Sequence, residues 1–257
     1  WPGSGPLGAR LKDFLCRHPA GRELLEDAEW IEDDVHWRSS LAYRVTTLAG
    51  DGFVLGGDAA GFLDPFYSPG MDWLSFTVSR AVDVIAAHRR GADVAPLLAA
   101  YQRDFTDSYR LWFEAIYRDK YEYLGDFELM RVAFPLDVGA YYLGVASQPY
   151  RRGAAGFREP NFTTTGGRLV QRLMRAYHVR LVALARARRR RGTLGRANAG
   201  RRKLLNGFSF GPSGAWPLVR ALGAWARLEL TEGWRAWPAR PVEPAQAAPA
   251  TAEAAAK

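Results

Sequence analysis

Apolar positions in this chain recur mostly at helical spacing, interrupted once by short runs of another kind. Residues 10–17 and 20–28 read as short helical pieces broken at Pro19. Residues 41–48 read as a strand, which passes the turn signal Gly50-Asp51-Gly52 into a second apolar run, 53–56, bounded by turn residues as buried strands are. Helical spacing then returns: Trp73, Leu74, Val78, Ala81, Val82 and Ile85 predict a helix over roughly 71–90, ended by Gly91 to Asp93. A second long helix is predicted over 94–124, with Tyr101, Phe105, Tyr109, Trp112, Phe113, Ile116, Tyr117, Tyr121 and Leu124 along a single face. Two further helices are predicted, over 168–191 and, after a loop at 207–214, over 215–230. From Pro238 the Pro- and Ala-rich tail has too few large apolar groups to offset its ordering entropy, which predicts disorder.

Composition narrows the class. At 257 residues with 48% hydrophobic content, the chain can bury one sizeable core, or a core with an appended helical region. No apolar run approaches the about 20 residues that span a bilayer. Cys16 is the only cysteine, which excludes an intramolecular disulfide and fits a reducing, cytoplasmic setting. His18, His36, His88 and His178 are scattered without metal-ligand spacing, so no metal is expected.

The chemistry concentrates in 53–71, where the short strand runs into Gly57-Asp58-Ala59-Ala60-Gly61 and then a loop stiffened by Pro65 and Pro69. A carboxylate at the carboxyl end of a strand can accept hydrogen bonds from ligand hydroxyls, and Asp58 holds that position. Gly56 and Gly57 allow close backbone approach. The following helix opens beside the same point, where unpaired N–H groups favour negative charge on a ligand.

At these residues the chain resembles the flavin-dependent monooxygenase superfamily, most closely the branch holding the flavin-dependent (tryptophan) halogenases and related FAD-dependent oxidoreductases. Their second flavin motif has the form Gly-Asp-Ala-Ala-Gly-Phe-x-Asp-Pro-x-x-Ser-x-Gly, and 57–70 follows it. The resemblance extends weakly over about 14–150. It implies FAD as cofactor, with Gly57 and Ala59 among the cofactor-binding residues, Asp58 on the ribityl chain, Pro65 near the isoalloxazine, and the backbone of Ser68, Pro69, Gly70 and Met71 along its pyrimidine edge. It also implies an α/β fragment of a two-domain, glutathione-reductase-like FAD-binding fold with a mainly helical carboxyl-terminal half. Residues 1–50 would end a substrate-side region, 51–92 carry the motif, 93–237 form the helical region and 238–257 the tail.

The superfamily opens on a Rossmann unit whose Gly-x-Gly-x-x-Gly turn binds the pyrophosphate. Gly3-Ser4-Gly5-Pro6-Leu7-Gly8 matches that spacing, but only Trp1 and Pro2 precede it and Pro6 favours a turn, so it reads as a Gly-rich leader. The expectation is the carboxyl-terminal part of a longer flavoprotein, completed by an amino-terminal Rossmann unit or served by a flavin reductase, acting on an organic substrate, with an aromatic one as an open option. Oxygenation ranks above halogenation. Halogenases hold halide with N–H groups at the positions of Pro69 and Gly70, and proline has none. Their catalytic lysine has no counterpart among Lys12, Lys120, Lys203 and Lys257. The catalytic residues therefore stay unassigned; Asp64 reads first as a turn starter and Asp72 as a dipole-complementing residue, each with a general base as the alternative.

Two features leave readings open. The aromatic stripe of 101–124 is either a core face or a wall for a planar substrate. Residues 168–203 hold thirteen Lys or Arg and no Asp or Glu, more than the chain's net +8. This is a solvated helix face with a cationic carboxyl end, a dock for an anionic membrane surface aided by Trp216, Trp225, Trp234 and Trp237, or a basic patch for nucleic acid or an acidic partner such as a carrier protein. No nucleic-acid-binding motif accompanies it. The function of another class consistent with this charge is a non-catalytic, basic helical interaction protein, peripheral to the membrane.

Overall fold

Pro19 starts a helix as well as ending one, because a proline at the first helical position gives up an N–H that has no partner there. The computed structural model describes residues 4–29, 31, 34–36, 41–198 and 215–236, and the chain divides into two units, Trp1–Leu41 and Ala42–Lys257. In the first, α1 (Leu7–Cys16) and α2 (Pro19–Leu25) cross so closely that a Cβ on Gly21 would collide with the Leu15 carbonyl. The Gly-rich leader thus opens a helix at Leu7, with no strand before it among the described residues. The expected 207–214 loop, the 238–257 tail, Trp237 and Lys203 lie outside the described residues.

The second unit is mostly helical. Its strands are two residues long and pair as two separate antiparallel ribbons: β1 (Tyr43–Arg44) with β4 (Gly61–Phe62), and β2 (Ala49–Gly50) with β3 (Phe53–Val54). The strands expected over 41–48 and 53–56 are therefore shorter, and no parallel sheet of the α/β kind occurs among the described residues. The physical reason lies in their neighbour, which is a helix. From α4 (Ala95–Trp112), Gln102 accepts from the Leu48 N–H at 2.7 Å and donates to the Thr46 carbonyl at 3.0 Å. Tyr101 donates to the Leu55 carbonyl at 2.5 Å and Tyr109 to that of Phe62 at 3.2 Å. Side chains of α4 thereby satisfy backbone groups that adjoining strands would otherwise pair.

The helix α3 (Pro69–Arg89) turns Trp73, Phe76, Thr77, Val84 and Ala87 inward and leaves Met71, Leu74, Val78, Val82 and Ile85 exposed. Trp73 stacks on Tyr109 with centroids 5.3 Å apart, and Phe76 on Tyr101 at 6.0 Å. Tyr101, Phe105, Trp112, Ile116 and Tyr117 are buried, so that part of the aromatic stripe is a core face, while Tyr121 is exposed. The helix expected to continue to 124 does not. A π-helical turn, Phe113–Tyr117, follows α4, the chain bends through Asp119 at a φ of 59°, and the short α5 (Tyr121–Leu124) takes a new direction.

Between α5 and the basic helix lie α6 (Phe127–Tyr141), a second π-helical turn (Tyr142–Ala146) and α7 (Ser147–Arg152). The centre of the unit is α6, against which α8 (Thr165–Arg190) and α9 (Ala215–Glu232) pack. Its sequence is apolar nearly all round and includes Pro135, so it carries no one-sided stripe. Leu129, Met130, Val132, Ala133, Leu136 and Ala140 are buried on different faces. At α8, Thr164 caps the amino terminus by accepting from the Gly167 N–H at 3.1 Å.

The cationic end of α8 is largely ion-paired within the chain, although Arg189, Arg190 and Arg191 stay at the surface. Arg188 is 0% exposed and bonds both oxygens of Asp126 at 2.9 Å and both of Glu232 at 2.8 and 3.0 Å, with Glu128 at 2.9 Å. Arg186 and Arg189 meet Glu122, Arg191 meets Glu232, and Arg180 meets Glu229 at 2.7 Å. The acids come from α5, α6 and α9, so an acid-free stretch of sequence becomes the fastening of four helices.

Candidate functional site

The turn after β3 is built to leave room. Gly57 to Ala59 form one turn of 3-10 helix, with Gly57 at a φ of 52° and its N–H donating to Thr77 Oγ1 of α3 at 2.9 Å. Asp58 follows the end of β3 by a short connection; its side chain is exposed and its carbonyl accepts from the Tyr43 hydroxyl at 2.5 Å. Gly61 sits where a Cβ would come within 3.1 Å of the Tyr43 carbonyl and 3.3 Å of the Phe105 and Tyr109 rings, so the ribbon can lie flat on α4 only with glycine there.

The second wall is the entry to α3. Asp64 starts a turn whose Phe66 N–H donates to Asp64 Oδ1 at 3.0 Å, and the other oxygen accepts from the Tyr121 hydroxyl. Ser68 is left-handed, with a φ of 52°, and Pro69 is the first residue of the helix. No side chain caps this end, which leaves the first-turn N–H groups of Gly70 and Met71 open while Pro69 has none. A Cβ on Gly70 would come 3.8 Å from Asp58 Oδ1, so the carboxylate and the helix end face one another.

Between them lies a cleft of about 370 Å³. Gly57, Asp58, Pro65, Ser68, Pro69, Gly70 and Met71 all line it, with Phe62, Leu63, Trp73 and Leu74 supplying apolar surface. Ala59 is the one residue of the expected site that does not line it. The arrangement can grip a planar apolar body between the turn and the helix entry, with Asp58 accepting from a hydroxyl and the helix end facing negative charge. Asp72, in the first turn of α3, is pushed up to about 6 by burial, opposed by a hydrogen bond at 3.1 Å from Tyr141. Its second oxygen is buried without a partner among the described residues. It neighbours the lining residues Met71 and Trp73 without lining the cleft itself.

Behind the loop lies a buried polar network that sequence reasoning missed. Asp137 of α6 accepts from the Tyr67 hydroxyl at 2.6 Å, from Lys120 Nζ at 2.5 Å and from the Tyr177 hydroxyl at 2.6 Å. The Lys120 ammonium also lies 4.9 Å from the Tyr67 ring centre and 5.0 Å from that of Tyr123. Tyr123 bonds His178 Nδ1 at 2.9 Å, while His178 Nε2 faces the Arg118 carbonyl. A carbonyl only accepts, so Nε2 carries the hydrogen and Tyr123 donates to Nδ1. Burial lowers the His178 pKa, in keeping with that neutral ring. Burial and then Asp137 push the Tyr67 and Tyr177 phenols well above their ordinary range, so both remain donors. Tyr67 lies inside the flavin-like motif, and the network therefore anchors the loop that carries Ser68 and Pro69. The signal in the sequence was a carboxylate, Asp137, within the apolar run 129–145, and a lysine between Tyr117 and Tyr121.

Among the described residues no group of three His, Cys, Asp or Glu side chains is placed to hold a metal, and no helix is long and apolar enough to cross a membrane. No protein-family model, no curated protein and no solved structure matches the chain.

Proposed function

We propose that the cleft is the isoalloxazine end of a flavin site, and that the chain is the carboxyl-terminal part of an FAD-dependent oxidoreductase or monooxygenase acting on an organic substrate. The observation that carries this reading is convergence. The motif residues lie apart in sequence at 57–58 and 65–71, yet they line one cleft with Asp58 facing the uncapped entry of α3. The size and lining fit a planar ring system. They do not extend to a nucleotide, for which the described residues offer no Gly-rich turn between a strand and a helix. The exposed apolar stripe of α3 meets the cleft at Met71 and Leu74 and would be covered by the unit that binds the nucleotide half.

FAD bound here would supply redox chemistry with oxygen. The chain's own part is to hold the ribityl chain at Asp58, to place the N–H groups of Gly70 and Met71 beside a reduced ring, and to shield one ring face with apolar side chains. Asp72, pushed up to about 6 by burial and flanked by the lining residues Met71 and Trp73, would hold or release a proton beside the cleft. Pro69 removes one of the two N–H groups that a halide would need, which favours oxygenation over halogenation.

The test is a flavin fluorescence titration of this chain and of a chain extended upstream by a nucleotide-binding unit, using FAD and riboflavin. Saturable quenching is expected, weaker for the shorter chain, with affinity reduced at least about tenfold by Asp58→Ala, the scale of one lost charged hydrogen bond. Absence of saturable binding in both chains would overturn the assignment.

A further inference from the structure

Both α8 and α9 pack on α6, and side chains from their carboxyl-terminal halves meet in the same chain direction. Tyr177 meets Trp225 with ring centres 6.2 Å apart, Arg180 meets Glu229, and Arg188 meets Glu232. Continued toward their amino-terminal halves, the offsets of these pairs put 169–173 level with the first turns of α9, up to about Leu222. Leu169 and Leu173 on α8, and Trp216, Val219 and Leu222 on α9, are all exposed, Leu169 at 68% and Trp216 at 64%. At 100° per residue the two leucines of α8 share the part of its exposed arc nearest α9, and Val219 and Leu222 lie on the flank of α9 nearest α8. The result is an apolar strip across both helices.

Charge frames the strip on both outer edges. Arg168 and Arg172 lie beyond the leucines of α8, and Arg220 and Arg227 lie beyond Trp216 on α9. None of the four faces an acid among the described residues, although Arg168 does donate to the Thr163 carbonyl at 3.1 Å. The two acids of α9 near α8 are committed elsewhere, Glu229 to Arg180 and Glu232 to Arg188, and α8 has no acid at all. The arginines of the chain therefore divide by position. Arg186, Arg188, Arg189 and Arg191 at the carboxyl end of α8 fasten helices together and Arg175 meets Glu114 at 3.7 Å, whereas Arg168, Arg172, Arg220 and Arg227 remain exposed beside leucine, valine and tryptophan.

We propose that this strip is a docking face for an anionic lipid bilayer, lying in the interface with its leucines and Trp216 in the acyl boundary and Arg168, Arg172, Arg220 and Arg227 on lipid phosphates. The chemistry of the occupant follows from the pattern: shallow apolar insertion needs no deep groove, arginines beside it reach outward along their stems, and the absence of free acids removes repulsion from negative headgroups. This face is distinct from the Arg186 to Arg191 cluster that sequence alone marks as the basic centre.

The test uses the full chain with phosphatidylcholine vesicles, with and without phosphatidylserine, read by flotation and by tryptophan emission. Binding is expected to the anionic vesicles only. The pair Arg172→Gln and Arg220→Gln is expected to weaken it about 25-fold, about fivefold for each arginine. The pair Leu173→Gln and Leu222→Gln is expected to weaken it by more than about tenfold. All four positions are exposed, and an unchanged circular dichroism spectrum separates lost docking from lost folding. Failure to bind anionic vesicles would overturn the proposal. So would binding that ignores the leucine pair, or self-association without lipid that the leucine pair abolishes, since a second copy would then own the face.

Discussion

Replacing Arg188 with methionine isolates the cost of the buried fastening. Methionine retains much of the arginine stem but removes the charge, leaving Asp126, Glu128 and Glu232 around an apolar side chain. Breaking a buried pair by deleting one partner costs about 3 to 5 kcal/mol, because the other charge stays desolvated. Here Glu128 is partly exposed and Glu232 keeps Arg191 and Arg196 at 3.3 and 2.7 Å, so the lower end, about 3 kcal/mol, is expected. For a chain of this size that corresponds to a fall in Tm of about 6 to 12 °C. The assay is thermal unfolding by circular dichroism across a pH series. Hydrogen bonds from Arg188 hold the Glu232 carboxyl below its ordinary value of 4.5, so its contribution is full above that pH and is lost as pH falls through the lowered value. The gap between wild type and variant should therefore close below pH 4.5. A loss under about 1 kcal/mol, or a gap that does not narrow in acid, refutes the reasoning. Adding Glu232→Leu to the variant should restore part of the stability by removing an unpaired carboxylate.

Two other outcomes follow from the site. Burial raises the Asp72 pKa to about 6, so the folded chain holds a proton that the unfolded chain releases near 3.8, and stability falls as pH rises through that interval. Asp72→Asn should thus be more stable than wild type above pH 6 by roughly 3 kcal/mol and equal to it below pH 3.8, as denaturant melts will show; a variant that is weaker at pH 7.5 would mean the carboxylate is held by more than Tyr141. Gly57→Ala meets both the left-handed backbone at a φ of 52° and Leu74 Cδ1 at 3.2 Å, and should cost about 1 kcal/mol in urea melts while weakening flavin binding. Unchanged values on both readouts would show that the turn tolerates a side chain.

What the sequence showed and what it hid divide along a physical line. The turn at Gly57 and the proline-led entry to α3 are local, since residues within a few positions fix their backbone, and both were legible in the motif. The long helices were legible wherever one face is apolar, as in α3, α4, α8 and α9. The helix α6 escaped because it is enclosed on nearly every side and shows no stripe, and the break after Trp112 escaped because aromatic residues continue past it. The network around Asp137 joins Tyr67, Lys120, Tyr123, Tyr177 and His178 across 111 positions of chain, from 67 to 178, and no local pattern announces such a meeting. Charge was misleading in the same way: Arg186, Arg188 and Arg189 have no acid nearby in sequence and several in space.

The ribbons that carry the cleft owe their backbone partners to Gln102, Tyr101 and Tyr109. Two-residue ladders cannot persist by themselves, so their amides are shielded from solvent exchange only as long as α4 is wound. The Leu48 amide, bonded to Gln102, should consequently exchange with deuterium at the rate at which the middle of α4 opens. The order of folding follows too: α4 forms early from local contacts, and the ribbons close onto it afterwards, because they join residues some 40 to 60 positions away. A substitution on the far side of α4 that frays it would therefore appear first as a loosened cleft, well before the helical core melts.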